Sequence, residues 1–153
     1  MKKIVLLLSC VLIFGVSSFA AQRDTIKVLA IGNSFSEDAV EEHLSFLAQA
    51  EGLTVVIGNM YIGGCSLERH VNNLRGNLKK YRYRKFDPQG NKTEIMNYTL
   101  EQVLAEEEWD FISVQDHYGI NESDSYEKCM EESIPYLPNI FRYLEATEPN
   151  ATL

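Results

Sequence analysis

Three short apolar runs mark the chain beyond residue 25: IKVLAIG at 26–32, LTVVIGN at 53–59 and WDFISVQ at 109–115. Each run is nearly continuous in aliphatic or aromatic residues, a pattern typical of strands that are covered on both faces. The pattern predicts strands over 26–32, 53–58 and 110–115. We expect them to be adjacent and parallel, because helical sequence separates one run from the next.

The segment 39–51 has the spacing of an amphipathic helix. Val40, Leu44 and Leu47 recur at helical intervals and so predict one buried face, and Gly52 follows as a stop signal. The sequence therefore predicts a crossover helix over 39–51 between the first two strands.

Polar residues indicate where the helices begin. Asp38 and Glu41 are placed to cap the first turn of the first helix, and Ser66 precedes a second helix predicted over 67–78. Thr99 opens a Thr-x-x-Gln sequence, the pattern of a capping box, before a third helical segment.

Two further features interrupt or complete the alternation. Residues 80–97 alternate aromatic and basic side chains around the turn sequence DPQGN, which predicts an inserted β-hairpin. Pro135 and Pro138 are expected to divide the last helical stretch in two. The final residues, PNATL, predict the start of a fourth strand of the parallel series.

The order of elements predicts an α/β fold with a mostly parallel sheet, incomplete at its C-terminus, plus the inserted hairpin. Ligands of such sheets bind beyond the carboxyl ends of the strands. Three loops are predicted at that edge, namely GNSFS, YIGGCS and QDHYG. They are the candidate site.

The first residues predict export. Lys2 and Lys3 precede an apolar stretch, and small residues end at Ala20, so residues 1–20 fit a secretory signal and 21–153 the mature α/β domain. We expect a periplasmic or extracellular protein. Cys10 lies inside the apolar stretch and not at its end, which disfavours lipoprotein anchoring.

Charge and cysteine content narrow the function classes. The net charge is −8, which argues against nucleic acid and against anionic membrane surfaces once the signal is removed. Cys65 and Cys129 are the two cysteines beyond residue 20, and two free thiols are favoured over one disulfide. The sequence predicts no metal site and no cofactor.

Ser34 lies in a tight turn between a predicted strand and a helix N-terminus. There a hydroxyl can be exposed, and the helix N–H groups favour developing negative charge. Three roles stay open for this turn: a helix cap by Ser34 or Ser36, a nucleophile, or a phosphate-binding loop. In the second loop, Gly64 is placed to present a bare backbone N–H toward Ser34, while Gly63 suits a simple turn.

Together these motifs resemble the SGNH/GDSL hydrolase superfamily, and within it a secreted bacterial branch. Gly32-Asn33-Ser34 stands for the first block, Gly64 for the glycine of the second, and WDFISVQ for the strand before the third. The resemblance implies a flavodoxin-like three-layer α/β/α fold. It also implies hydrolysis of an ester, often an acyl group on a carbohydrate, with Ser34 as nucleophile and Gly64 as an oxyanion donor.

The third block departs from the superfamily pattern. The usual asparagine is missing from QDHYG, so Gln115 is the candidate oxyanion side chain, with loop scaffolding as the equal alternative. Asn33, Asp116 and His117 are expected to line the substrate, and Tyr83 of the hairpin to stack on a sugar ring at the rim. A protected edge hairpin is the other interpretation of the Tyr/Arg pattern.

The expected general base also departs from the superfamily pattern. No histidine of the chain follows the Asp-x-x-His pattern, and His43 and His70 fall on predicted helices at the surface or core edge. His117 is the weaker candidate base within the chain: it lies at the sheet edge next to Asp116, but adjacent side chains of an extended chain point to opposite sides. We therefore expect the base to lie beyond residue 153 and the chain to be inactive by itself. The alternatives are a non-catalytic carbohydrate-binding module on the same fold and, more weakly, a phosphate or nucleotide binder.

Overall fold

The computed structural model describes residues 25–117 and 126–153. It is an α/β protein whose five strands form one sheet. The strands are β1 (Ile26–Gly32), β2 (Val55–Tyr61), β3 (Tyr81–Phe86), β4 (Lys92–Tyr98) and β5 (Phe111–Val114). A long helix α1 runs from Ser34 to Ala50, and the other helices are α2 (Leu67–Arg75), α3 (Leu100–Leu104), α4 (Tyr126–Ser133) and α5 (Leu137–Thr147).

The strand order is β4-β3-β2-β1-β5. β1 pairs in parallel with both β2 and β5, so the three strands predicted to be adjacent and parallel are so. β2 pairs antiparallel with β3, and β3 antiparallel with β4. The expectation of a mostly parallel sheet was wrong for these residues, because the hairpin joins the sheet edge instead of standing apart from it.

The hairpin itself matches its sequence pattern. Asp87 accepts hydrogen bonds from the backbone N–H groups of Gln89 and Asn91, at 2.9 and 2.8 Å. Gly90 has φ +81°, a left-handed conformation that favours glycine. The DPQGN sequence therefore closes the β3–β4 turn.

Helix α1 begins five residues earlier than predicted. It is α-helical over Ser34–Ser36, π-helical over Glu37–Leu44 and α-helical again over Ser45–Ala50. The wider π turns rotate the following residues relative to an α-helix. Leu47, predicted to be buried, is 59% exposed for this reason.

The helices lie on both faces of the sheet. Ile57 of β2 packs with Ala48, Val40 and Leu44 of α1. The larger core on the opposite face contains residues of β1, β2 and helices α2, α3 and α5; it includes Leu29, Met60, Val71, Val103, Trp109, Ile140 and Leu144. This alternation explains why the strands are apolar on both sides.

The C-terminal elements agree with the sequence. Helices α4 and α5 are separate, with Pro138 in the first turn of α5. Thr152 forms a parallel bridge with Phe111 of β5. Its carbonyl accepts from Ile112 N at 2.9 Å and its N–H donates to Asp110 O at 2.8 Å, so strand pairing continues beyond β5 as predicted.

The predicted signal, residues 1–20, lies outside the described residues, as does the side chain of Cys129. Cys65 is a free, buried thiol, and burial raises its pKa to about 11. Within the ranges 25–117 and 126–153, no helix is long and apolar enough to cross a membrane.

Candidate functional site

The three loops predicted to share the carboxyl edge of the sheet are joined by hydrogen bonds. The carbonyl of Cys65, in the second loop, accepts from Asn33 Nδ2 at 3.3 Å and from the backbone N–H of His117 at 3.0 Å. Ile62 N donates to Gly32 O at 3.1 Å. The structure thus brings these loops together, as the sheet topology predicted.

Ser34 is the first residue of α1 and is exposed. The cap of this helix is Asn33, whose Oδ1 accepts from Phe35 N at 3.1 Å. Neither Ser34 nor Ser36 caps the helix with its side chain. The hydroxyl of Ser34 is therefore presented at the sheet edge, beside a helix N-terminus, without a part in the cap.

Asn33 is fully buried and ties the Ser34 turn to the second loop through Cys65. Both ends of its amide are used inside the protein, so its expected contact with substrate is not what the structure shows. Its role here is to hold the turn.

Gly64 has φ +58°, which favours glycine, and it is exposed. A β-carbon at Gly64 would meet no heavy atom within 4 Å, so the constraint at this position is its backbone conformation and not a lack of space.

Gln115 turns its side chain inward. Its Oε1 is buried without a hydrogen-bond partner in the described structure. A β-carbon built on Gly32 would lie 3.0 Å from that oxygen and 2.6 Å from Ser36 Oγ, which places the amide behind the Ser34 turn. The structure therefore places Gln115 Oε1 close to Gly32, in the protein interior.

Asp116 holds helix α2. Its Oδ1 accepts from Leu67 N at 2.9 Å, and its Oδ2 accepts from the hydroxyl of Ser133. Both carboxylate oxygens are engaged inside the protein, so the expected contact of Asp116 with substrate is corrected to a structural one.

His117 is half-buried and stacks on Phe35, with ring centroids 6.3 Å apart and planes at 18°. Phe35 follows Ser34 directly and is 58% exposed. Phe35 therefore lies beside the serine as a largely exposed ring that stacks on His117.

His70 was expected at the surface or core edge but is fully buried on α2. Its Nδ1 lies 2.8 Å from the hydroxyl of Tyr81. Burial lowers the pKa of His70 to about 4; the negative charge of Asp116 opposes this shift. His70 is a neutral core imidazole at physiological pH.

Tyr83 is 1% exposed, so the expected role in stacking on a sugar at the rim is wrong for this structure. Its hydroxyl donates to Glu106 Oε2 at 3.0 Å, and its ring stacks on Tyr98 at 5.2 Å. Tyr83 is on the face of β3 that contributes to the larger core, as Tyr81 is two residues before it.

Sequence reasoning missed a buried polar cluster behind the Ser34 turn. Ser36 Oγ lies 2.7 Å from Asn33 O and 3.0 Å from Asn59 Oδ1. Asn59 Nδ2 donates to Glu41 Oε1 at 2.7 Å. Arg84 of the hairpin donates to the same oxygen at 2.8 Å.

Glu41 and Arg84 have side chains only 4% exposed. Burial alone would raise the pKa of Glu41, but hydrogen bonds from Arg84, Lys92 and Asn59 hold it below its usual range. Glu41 therefore does not cap α1, as was expected; its carboxylate is committed to the hairpin. The sequence feature that could have indicated this buried cluster was Arg84, a basic residue in the alternating pattern of β3.

A wide polar groove of about 900 Å³ lies at the opposite, amino edge of the sheet. Its lining includes Lys27, Asp110 and Glu148. It is remote from Ser34 because Lys27 and Asp110 precede the centres of the parallel strands. No group of three or more His, Cys, Asp or Glu side chains suited to a metal occurs among the described residues.

Comparison with known proteins gives one family. Residues 27–152 match the model described as "Domain of unknown function (DUF4886)". The chain is similar to the crystal structure of a DUF4886 family protein from Bacteroides uniformis ATCC 8492, with 49% sequence identity and a TM-score of 0.74. The match covers 85% of this chain and 48% of that one, so the chain spans about half the length of its relative. No curated protein matches the chain.

Proposed function

The chain belongs to the DUF4886 family, because residues 27–152 match the model of that family. We propose that this chain carries the nucleophile of an exported SGNH-type serine esterase. The observation that carries the proposal is the Ser34 turn. A serine hydroxyl is exposed at the carboxyl edge of parallel strands, at the start of a helix that is capped by a different residue.

The proposed fold is the flavodoxin-like sandwich of that superfamily, with the hairpin added at one edge. Three adjacent parallel strands and helices on both faces support it. The antiparallel pairs β2–β3 and β3–β4 belong to the addition.

In the proposed reaction, the base takes the proton of Ser34 Oγ while this oxygen attacks the acyl carbonyl of the ester. The bond between the acyl carbon and the alcohol oxygen then breaks, and the alcohol leaves with that proton. Water attacks the acyl-enzyme with the help of the same base, which releases the carboxylic acid and restores Ser34. Negative charge develops on the carbonyl oxygen. The backbone N–H groups of Ser34 and Gly64 are the proposed donors to it, because the next three N–H groups of α1 already donate to Asn33. This chemistry needs no metal or cofactor.

Gln115 is retained as a proposed third donor through its side-chain Nε2, and its Oε1 is the buried end of the amide. The oxyanion hole of this proposal therefore rests first on the two backbone groups.

The proposed base is a histidine outside residues 1–153, because the chain holds no Asp-x-x-His sequence. His70 is unsuited, since it is buried against Tyr81 with its proton affinity reduced. Residues 21–153 alone are then expected to hydrolyse short acyl esters little or not at all.

The substrate class that we propose is an acylated carbohydrate. The exposed ring of Phe35 lies beside Ser34 and stacks on His117, so it offers an aromatic surface to the apolar face of a sugar ring. The same surface favours the second candidate function, a carbohydrate-binding module without catalysis.

The test is made on the complete gene product that contains these residues, with 4-nitrophenyl acetate as substrate and a fluorophosphonate as a serine label. Ser34→Ala is expected to abolish both turnover and labelling, a loss of at least about 1,000-fold. Ser45→Ala, on the same helix, is the matched control and is expected to retain both. Turnover in Ser34→Ala equal to that of the parent would exclude the esterase proposal.

A further inference from the structure

We infer that Ser36, Asn59, Glu41 and Arg84 form a positioning network that fixes the Ser34 turn, and that the hairpin is thereby part of the catalytic architecture. The inference rests on the proposed function of Ser34. None of the four residues is expected to touch the reacting atoms; each acts through the turn.

The network begins two residues from Ser34. The hydroxyl of Ser36 shares its single hydrogen between Asn33 O and Asn59 Oδ1, at 2.7 and 3.0 Å. The same Asn33 carbonyl accepts from Ser36 N at 3.1 Å and from Glu37 N at 3.3 Å. Ser36 therefore links the first turn of α1 to the neighbouring strand β2.

From β2 the network passes to the middle of α1 and on to the hairpin. Asn59 is fully buried, and its Nδ2 donates to Glu41. Arg84 donates to Glu41 and lies 2.7 Å from Glu37, so one guanidinium nitrogen contacts two carboxylates of the π-helical segment. Lys92 completes the coordination of Glu41 at 2.7 Å.

Arg84 is itself held from several sides. Its Nε lies 3.2 Å from Glu94 of β4, and its guanidinium carbon is 4.4 Å from the ring centre of Tyr61 at the end of β2. The planar guanidinium is suited to such multiple contacts, while a lysine ammonium is not. Rotation of this side chain is therefore prevented by its neighbours on both strands.

A contribution to folding stability is a weak explanation for the buried charges of Glu41 and Arg84. A buried ion pair contributes little net stability, since the loss of hydration offsets the attraction between the charges. Such groups do restrict geometry, because each partner must stay in one place to satisfy the others. The network occupies the face of the Ser34 turn that lies inside the protein, opposite the exposed hydroxyl.

The π-helical geometry of Glu37–Leu44 is part of the same arrangement. Both carboxylates that contact Arg84, those of Glu37 and Glu41, lie in this segment. Eight residues of π-helix are uncommon in proteins and are frequent at functional sites. The segment directly continues the turn that carries Ser34, so a shift in it would move the serine.

The experiment measures kcat, KM and the rate of fluorophosphonate labelling in the complete gene product. Ser36→Ala removes one hydroxyl, and Arg84→Met removes the guanidinium at similar length. We expect kcat and the labelling rate both to fall, by about 10-fold in Ser36→Ala and by about 100-fold in Arg84→Met. A displacement of the order of 1 Å costs about 100-fold. KM for 4-nitrophenyl acetate is expected to change less than about 3-fold, because substrate contacts are retained.

Arg84→Lys keeps the charge without the planar contacts and is expected to restore part of the lost kcat. Arg82→Met is the matched control: Arg82 lies on the same strand, 41% exposed, 3.7 Å from Glu94. It is expected to leave kcat unchanged. Circular dichroism and thermal melting check that each variant is folded.

The outcomes separate the two levels of the proposal. Full activity in Ser34→Ala would overturn the esterase itself. An inactive Ser34→Ala together with parental kcat in folded Ser36→Ala and Arg84→Met would overturn the positioning network alone. If Arg84→Met does not fold, Ser36→Ala and Arg84→Lys decide the question, because parental kcat in both contradicts the inference.

Discussion

In the parallel half of the sheet, β1 and β2 are buried over most of their length, whereas β4 at the hairpin edge is exposed at six of its seven residues. Apolar side chains fill both faces around β1 and β2. The hairpin contributes Tyr81 and Tyr83 of β3 to the larger core, and it is also held by ion pairs, which join Arg84 to α1 and Lys85 to Glu106 and Glu107.

The difference shows how ion pairs help to fix an added element whose edge strand is mostly exposed. Burial of apolar area is non-directional and tolerates small shifts, whereas hydrogen-bonded charges fix one register. The hairpin lies beside α1, the helix that carries the candidate serine, and it is there that the charges are most deeply buried. We interpret the parallel half as the source of stability and the ionic contacts as the source of local geometry.

The largest effect is expected at Trp109, in the core of the parallel half. This side chain is 2% exposed and donates to Val103 O at 3.1 Å, and a β-carbon on Gly58 would lie only 2.7 Å from its ring. Trp109→Ala is expected to lower the free energy of unfolding by about 4 kcal/mol, through lost burial and the cavity that remains. Urea denaturation measures it.

Phe46→Ala is the matched control for Trp109, because Phe46 is an aromatic residue that is 72% exposed. It is expected to change the free energy of unfolding by less than about 0.5 kcal/mol. Equal losses in the two variants would contradict the assignment of stability to the parallel core.

The next effect is a pH dependence that belongs to the parallel half. The pKa of His70 is lowered from its ordinary value of 6.5 to about 4 by burial. Between these values the unfolded chain binds a proton that the folded chain does not, so stability falls as the pH falls through this window. A shift of this size corresponds to about 3 kcal/mol. Urea midpoints at pH 7 and pH 4.5 measure it.

His70→Gln removes this titration and is expected to flatten the dependence between pH 6.5 and 4. His43→Gln is the control, since His43 is exposed on α1. The lowered pKa of Glu41 affects stability in a more acidic range. The stability that Glu41 contributes is fully present above the pKa of this residue in the unfolded chain, and it is lost as the pH falls through its lower pKa in the folded chain. An unchanged slope in His70→Gln would contradict the burial effect.

The sequence was sufficient for the features that depend on local patterns. The three parallel strands, the hairpin turn and the division between α4 and α5 follow from apolar runs, Gly and Pro. The meeting of the three loops follows from topology alone, since parallel strands end at one edge.

The features that the sequence did not predict depend on contacts between distant residues. The inward face of α1 was misplaced at Leu47 because a π-helical segment has no simple sequence signature. Glu41 resembled a helix cap, and its partner Arg84 lies 43 residues away. Tyr83 resembled a surface aromatic because the alternating pattern of β3 does not show that its tyrosine face packs on the larger core.

The smallest predicted effect concerns the junction between the two halves, where Thr99 follows β4 and opens α3. The capping box predicted there is present: Thr99 Oγ1 accepts from Gln102 N at 3.2 Å, and Gln102 Oε1 accepts from Thr99 N at 3.1 Å. Thr99 is 2% exposed, so water cannot readily replace its hydroxyl. Thr99→Ala is expected to lower the free energy of unfolding by about 1 kcal/mol, and Thr99→Ser, which keeps the hydroxyl, by less. Hydrogen exchange of the backbone amides in Thr99→Ala shows which elements lose stability. Faster exchange confined to α3 would show that the junction is local, whereas faster exchange throughout β3 and β4 would show that the hairpin depends on this cap and contradict its assignment to the ionic contacts.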